Sequence, residues 1–145
     1  MNLGIELPEP PAPFGAYVEA VQTGNLLFLT GMLPTAGHAA IITGRLGDKL
    51  DSATGRKAAR VAAYNALAVA KQHLGTLERV TRVVRLGVYI AATPEFTDQP
   101  AVADGASELF LEVFGPEKAS SRMVFGVASL PLGCPIEIEV ILEVS

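Results

Sequence analysis

The sequence predicts an α+β fold in which two long helices cover one face of a mixed β-sheet. Strand-like and helix-like segments follow one another in the order β-β-α-β-α-β-β, and only two segments space their apolar residues as a long helix does. Two helices can cover one face of a sheet with about this many strands, but hardly both. We therefore expect the second face to meet solvent or another subunit.

Length and composition suit one domain. The chain has 145 residues, and 50% of them are hydrophobic, which is enough for one core. We expect a single domain over residues 1–145, in which residues 1–15 form an extended, proline-rich segment. No apolar run approaches the ~18 residues that cross a bilayer, and the start lacks the pattern of a signal peptide. These features predict a cytoplasmic oligomer, the alternative being a monomer with an unusually rich core.

The charged residues argue against two classes of partner. The net charge is −4 and the basic residues are scattered, whereas nucleic-acid binding favours a basic stripe. The histidines, His38 and His73, have no Cys, Asp or Glu at ligand spacing. We therefore expect no metal site, and we expect both histidines to lie on the surface. Cys134 is the single cysteine, so no internal disulfide can form.

The first half of the chain predicts a hairpin and then a helix. "AYVEAV" and "LLFLTG" flank the turn "QTGN", and the unbroken apolar run Leu26–Leu29 predicts a strand buried on both faces. A glycine-rich stretch with room for a short edge hairpin follows. Asp51 or Ser52 can cap the first helix, which we expect to end near Leu74, before Gly75. Its inward stripe is Ala59, Ala62, Ala63, Ala66, Leu67, Ala70 and Leu74.

The second half predicts strand, helix and two closing strands. In the strand "RVTRVVRLGVYIA", Val84, Leu86, Val88 and Ile90 share one face, and Val83, Arg85, Gly87 and Tyr89 share the other. A helix follows from about Pro100 to Phe114. In the last strand the inward residues are Ile136, Ile138, Val140, Leu142 and Val144.

Charged residues on the two closing strands are the candidates for chemistry. We expect Met123, Phe125 and Val127 to face the helices. That assignment leaves Arg122, Val124 and Gly126 on the open face, on the same side as Glu137.

An arginine in a cleft can bind a carboxylate through a two-pronged, charge-assisted hydrogen bond. A glutamate there can hold or activate a water molecule. The alternative is a cross-strand ion pair, which spacing alone favours.

Four segments of the sequence form a recognisable set. They are Tyr17 before "TGNLLFLTGMLP", the strand "VVRLGVYIA", the helix "FTDQP…GASELFLEVFG", and the run Arg122, Leu130-Pro131, Glu137-Ile138-Glu139. Together these segments resemble the RidA/YjgF family, also described as endoribonuclease L-PSP. The resemblance covers nearly the whole chain and is closest to a longer subgroup of less defined function.

The resemblance implies a chorismate-mutase-like fold and a homotrimer whose sheets form a central β-barrel, with a cleft at each subunit boundary. It implies that Arg122 binds the carboxylate of a 2-imino acid and that Glu137 positions the attacking water. Tyr17 matches an aromatic residue of the pocket. Thr30 and Gly31 match a pair that contacts the ligand through a hydroxyl and a backbone N–H.

Three departures from the family pattern bear on the substrate. Val124 occupies a pocket position that is often cysteine, which leaves no thiol there. Met123 stands where a small residue is common. The loop from Ala92 to Asp104 is longer, and Asp104 falls near a position of asparagine, where an acid facing the cleft would repel a carboxylate.

Three functions remain open on this basis. The first is hydrolysis of reactive 2-imino or enamino acids to 2-oxo acids and ammonium, which requires no cofactor. The second is a trimeric binding protein or sensor for small carboxylates. Endoribonuclease or translation-inhibitor activity ranks last, because no histidine pair and no basic groove accompany Arg122. Chorismate mutase activity is suggested by fold analogy alone.

Overall fold

A computed structural model describes residues 5–145 of the chain. Five strands form the main sheet in the order β1-β2-β7-β5-β6. All neighbours are antiparallel except β5 and β6, which are parallel. The strands are β1 Ala20–Thr23, β2 Leu26–Leu29, β5 Val80–Ala91, β6 Ser121–Val127 and β7 Ile136–Val144, with a separate pair β3 Thr35–Ala36 and β4 Ala39–Ala40. The predicted α+β architecture with a mixed sheet is confirmed.

Two helices lie on one face of this sheet and against each other: α1 Ser52–Leu74 and α2 Gln99–Phe114. The Asp51 carboxylate accepts a hydrogen bond from the Thr54 N–H at 2.9 Å and caps α1. Gly75, with φ 85°, ends the helix in the left-handed region. Both predicted ends are thus confirmed, and every residue of the predicted inward stripe of α1 is buried.

The helices approach closely at Gly105 of α2. A Cβ added to Gly105 would clash with the backbone carbonyl oxygen of Arg56 on α1. No side chain fits between the two backbones at this point, so glycine is required here for steric reasons. The contact sets the position of α2 on the sheet.

The central strand β7 follows the predicted alternation along its whole length. Its core-facing residues, Ile136, Ile138, Val140, Leu142 and Val144, are all buried. Residues 5–13 contain no helix or strand, as expected for a proline-rich segment, and residues 1–4 lie outside the described residues. His38 and His73 are both exposed, as predicted.

Two strand predictions are wrong. Phe28 of β2 is 41% exposed, because the helices cover only one face of that strand and Phe28 lies on the other. Val83 of β5 is buried on the helix side, although the alternation assigned it to the opposite face with Arg85. The register of β5 against β7 shifts between Val83 and Arg85 and also between Val80 and Arg82, and each shift reverses the alternation.

The predicted faces of β6 are also wrong. Arg122 is the ladder neighbour of Leu86, and Val124 is the neighbour of Val88. Neighbours across a ladder point to the same side of a sheet. Leu86 and Val88 are buried under the helices, so Arg122 and Val124 face the helices. Met123 therefore lies on the open face.

The open face carries an apolar surface that no helix covers. Val21, Phe28, Met123 and Phe125 are 51%, 41%, 46% and 42% exposed. The Phe125 ring stacks on Tyr89 with 5.8 Å between centroids. Within residues 5–145, no helix is long and apolar enough to cross a membrane. No cluster of three or more His, Cys, Asp or Glu that could hold a metal ion occurs in that range.

Candidate functional site

Glu137 stands at the start of β7, on the open face, directly below Gly31. A Cβ added to Gly31 would lie 2.5 Å from Glu137 Oε2 and 3.0 Å from Glu137 Cδ. The segment after β2 is held there by two backbone hydrogen bonds, Met32 N–H to the Ile138 carbonyl at 2.8 Å and Ile138 N–H to the Met32 carbonyl at 2.9 Å. Position 31 therefore accommodates no side chain while Glu137 keeps this conformation.

A cavity of about 330 Å³ opens beside this contact. Its lining includes Tyr17, Thr30, Gly31 and Glu137, four of the six residues that the sequence predicts for the site. The Tyr17 hydroxyl accepts a hydrogen bond from the Phe14 N–H at 2.8 Å, which fixes the phenol ring against the preceding turn.

The Glu137 carboxyl is half-buried and unpaired. Burial raises its pKa above the ordinary value of 4.5, because the charged form is poorly solvated. Within residues 5–145 this carboxyl makes no hydrogen bond or ion pair with another side chain. A desolvated carboxylate without a partner is a stronger base than one in water, which suits it to remove a proton from a bound water molecule.

Cys134 lies near Glu137 but is unsuited to react. Burial raises the pKa of its thiol, and the Glu137 charge adds to that effect. The side chain is fully buried, and only a thiolate is a strong nucleophile.

Leu132 is a residue of this cavity that the sequence analysis missed. Its φ is 60°, the only positive φ of a non-glycine residue among those described, and its side chain is exposed at the cavity. Backbone strain of this kind concentrates at functional sites. The nearest signal in the sequence is the loop "SLPLGCP", in which Gly133 also has a positive φ.

Arg122 belongs to a different cavity, on the helix side of the sheet. Its Nη1 donates to Asp104 Oδ1 at 2.7 Å and to Ser107 Oγ at 3.1 Å, both on α2. The Nε and Nη2 atoms make no hydrogen bond in the part of the chain that the structure describes. The guanidinium therefore keeps one two-pronged edge for a ligand carboxylate. The cavity measures about 240 Å³.

Arg122 and Glu137 do not share a face, so that prediction is wrong. Glu137 is level with Tyr89 on β5, and Arg122 is level with Leu86. The two positions are separated by two strand spacings and three residues, roughly 10 Å in each direction, and they point to opposite sides of the sheet. Val124 lies beside Arg122 and packs against the core, away from the Glu137 cavity. Within one chain, the six predicted site residues therefore do not lie together in one cavity.

A comparison with family models matches residues 1–143 to the family described as "YjgF/chorismate_mutase-like, putative endoribonuclease". The chain belongs to the YjgF/chorismate mutase-like family. The resemblance read from the sequence motifs is thereby confirmed, and the YjgF fold accounts for the two helices packed on one face of the sheet.

Relatives within the YjgF family carry different names. Protein TCP17 of Trypanosoma cruzi is 41% identical over 99% of this chain and 91% of its own length. A 2-iminobutanoate/2-iminopropanoate deaminase of Dermatophagoides farinae is 30% identical over 97% of this chain and 94% of its own. The crystal structure of Atu1372 from Agrobacterium tumefaciens, a protein of unknown function, superposes with a TM-score of 0.91 at 36% identity, covering 99% of this chain and 89% of that one.

Proposed function

We propose that this protein hydrolyses reactive 2-imino and enamino acids to 2-oxo acids and ammonium, in clefts between the subunits of a homotrimer. The observation that carries the proposal is the desolvated, unpaired carboxyl of Glu137 beneath Gly31, in a cavity of about 330 Å³. The deaminase of Dermatophagoides farinae, 30% identical over 97% of this chain, supports the choice of reaction.

Glu137 acts on the attacking water in this reaction. The substrate nitrogen is protonated, and the carboxylate takes a proton from the water as the water oxygen bonds to the carbon of this protonated imine and the carbon–nitrogen π electrons move to the nitrogen. The protonated carboxyl then returns that proton to the nitrogen of the adduct. As the carbonyl forms, the carbon–nitrogen bond breaks and the nitrogen leaves with the hydroxyl proton, as ammonium. The imine is already activated, so the reaction needs no cofactor.

The other predicted residues bind the substrate. Arg122 holds its carboxylate through the free Nε/Nη2 edge, and Val124 lies beside it. The Thr30 hydroxyl and the Gly31 N–H contact the substrate from the Glu137 side, and the Tyr17 ring forms a wall. Tyr17, Thr30 and Gly31 line the cavity that contains Glu137, which supports these roles.

The two halves of the site must come from different subunits. Arg122 and Glu137 point to opposite sides of one sheet, so one substrate can reach both only where Arg122 of one chain approaches Glu137 of another. The uncovered apolar face supports association, because monomeric proteins rarely expose large apolar patches. The trimeric state with a central barrel and the cytoplasmic location follow from the sequence predictions and belong to this proposal.

Ammonium release tests the function. An amino-acid oxidase generates a panel of 2-imino acids in situ, and ammonium is measured with wild type, Glu137→Gln and Arg122→Ala. Wild type is expected to accelerate release above the oxidase background, and each variant is expected to lose most of that acceleration. A wild type without effect across the panel that still binds 2-oxo acids through Arg122 would replace this proposal with the binding protein.

A further inference from the structure

Arg122, which we propose binds the substrate carboxylate, is already hydrogen-bonded to a carboxylate of its own chain. Asp104 Oδ1 accepts a hydrogen bond from Arg122 Nη1 at 2.7 Å, and Ser107 Oγ contacts the same nitrogen at 3.1 Å. Asp104 stands in the second turn of α2 and lines the 240 Å³ cavity with Arg122. Its side chain is 45% exposed, so a ligand can reach it.

We propose that Asp104 is a specificity-determining residue that makes this site select zwitterions. The preferred ligand carries a carboxylate, bound by Arg122, together with a protonated nitrogen, bound by Asp104. A ligand with a carboxylate and no cationic group is disfavoured. The inference rests on the proposed function in one respect, namely that Arg122 anchors the ligand carboxylate.

The first reason is charge. A carboxylate bound at the Nε/Nη2 edge of Arg122 lies across one guanidinium from the Asp104 carboxylate, and like charges at such separation repel appreciably. Lys118 also lines the cavity, but its Nζ donates to the Val80 carbonyl at 3.4 Å. The ammonium of Lys118 is thus engaged by the backbone, whereas Asp104 is bonded directly to the arginine that receives the ligand carboxylate.

The second reason is hydrogen bonding. Only Oδ1 of Asp104 is used, and Oδ2 has no partner within residues 5–145. In a 2-imino or 2-amino acid the nitrogen is attached to the carbon next to the carboxylate, so one small ligand can reach Arg122 and Asp104 together. A protonated nitrogen would donate a charge-assisted hydrogen bond to Oδ2. The protonated imine is also the more electrophilic form, so this preference selects the form that water attacks.

Three ligands with the same carbon skeleton test the proposal: L-alanine, L-lactate and pyruvate. Only alanine has a cationic nitrogen. Calorimetric titration of the intact oligomer is expected to show alanine binding at least tenfold more tightly than lactate or pyruvate. Asp104→Asn keeps the size of the side chain and removes its charge. This variant is expected to bind alanine at least tenfold more weakly than wild type does, and to bind lactate and pyruvate equally well or more tightly.

Glu108→Gln is the matched control. Glu108 lies on the same helix and pairs with Arg56 at 2.7 Å on the outer surface, so the control removes a similar ion pair away from the cavity. It is expected to retain the wild-type preference for alanine. Arg122→Ala is expected to bind none of the three ligands measurably.

The outcomes separate this inference from the proposed function. Normal ammonium release by wild type, with a ligand preference that Asp104→Asn does not alter, overturns the inference and leaves the function intact. A preference for alanine that depends on Asp104, without ammonium release, supports the inference in a binding protein. Asp104→Ser is a second variant. If both variants fail to fold, the Arg122–Asp104 pair is structural and the inference is overturned, as it also is if wild type binds none of the three ligands.

Discussion

The Glu137 carboxyl fills the space that a side chain at Gly31 would need: a Cβ added to Gly31 would lie 2.5 Å from Glu137 Oε2. Gly31 is exposed, so this restriction comes from the carboxyl and not from core packing. The pair joins the turn after β2 to the first residues of β7, and it brings a backbone N–H next to the proposed base.

Gly31→Ala is expected to displace the Glu137 carboxyl and to lower the rate of imine hydrolysis by at least ~10²-fold, the usual contribution of a general base. The melting temperature should change little, because the residue is exposed. Gly15→Ala is the matched control, since Gly15 lines the same cavity and a Cβ there would meet only Tyr17 at 3.6 Å. Equal rates for the two variants would mean that the position of Glu137 is unimportant.

Glu137→Gln is expected to stabilise the protein while it abolishes turnover. Burial raises the pKa of Glu137 in the folded state, so the folded protein binds the proton more tightly than the unfolded chain, and ionisation at neutral pH destabilises the fold. The variant removes this penalty. Its melting temperature should therefore exceed that of wild type at neutral pH, by a small amount because solvent screens part of the charge of this half-exposed carboxyl.

The raised pKa of Glu137 also predicts how the difference in melting temperature between Glu137→Gln and wild type depends on pH. The difference in melting temperature should shrink as the pH falls through the raised pKa, and it should vanish below the ordinary value of 4.5, where both states are protonated. Glu139→Gln is the control on the same strand and face. Glu139 pairs with Arg85 at 3.3 Å, so its variant should not gain stability at neutral pH. A Glu137→Gln protein less stable than wild type at neutral pH would contradict the desolvation argument.

Mixing two inactive variants tests the shared cleft. Arg122→Ala retains Glu137, and Glu137→Gln retains Arg122. If each cleft takes one residue from each of two chains, unfolding and refolding an equal mixture should restore roughly a quarter of the wild-type activity, the share of clefts that receive both intact residues in a closed ring. The variants refolded separately are the controls. Absence of recovery in demonstrably mixed trimers would place Arg122 and Glu137 in separate sites.

Phe125→Asp is expected to break the assembly. Phe125 is 42% exposed on the open face and stacks on Tyr89, so a charge there would be buried if that face is an interface. Light scattering should show wild type at three times the chain mass of 15.2 kDa and the variant at a lower mass without deaminase activity. Ile41→Asp, at a residue 49% exposed on the hairpin side, should remain assembled. A monomeric wild type at micromolar concentration would reject both the interface and the shared cleft.

The regular elements were predictable because their signals are local. The Asp51 cap, the Gly75 stop and the alanine stripe of α1 each depend on neighbours in sequence, and β7 alternates without interruption. Alternation in β6 separated two sets of residues correctly but could not say which set faces the helices. Met123 and Phe125 are apolar, as core residues are, yet they occupy the open face. In β5, two register shifts reversed the alternation, and the sequence carries no clear sign of either.

The candidate site was predictable in part for a related reason. Thr30, Gly31 and Glu137 meet at one cavity because β2 pairs with β7, and Tyr17, which precedes β1, joins them because β1 pairs with β2. Arg122 was misplaced with the rest of β6. Leu132 was missed because its left-handed backbone depends on how its loop packs. The contact between Arg122 and Asp104 depends on how α2 crosses the sheet, which no local pattern encodes.

The crossing of α2 is in turn governed by Gly105, the residue next to Asp104. Because the backbones of α1 and α2 touch at this point, the depth at which Asp104 sits relative to Arg122 depends on the spacing of the helices. A substitution in α1 near Arg56 that widens this spacing would draw the carboxylate away from the guanidinium without touching the cavity. If Asp104 sets the ligand preference, substitutions between the two helices can therefore change that preference without replacing any residue that lines the cavity.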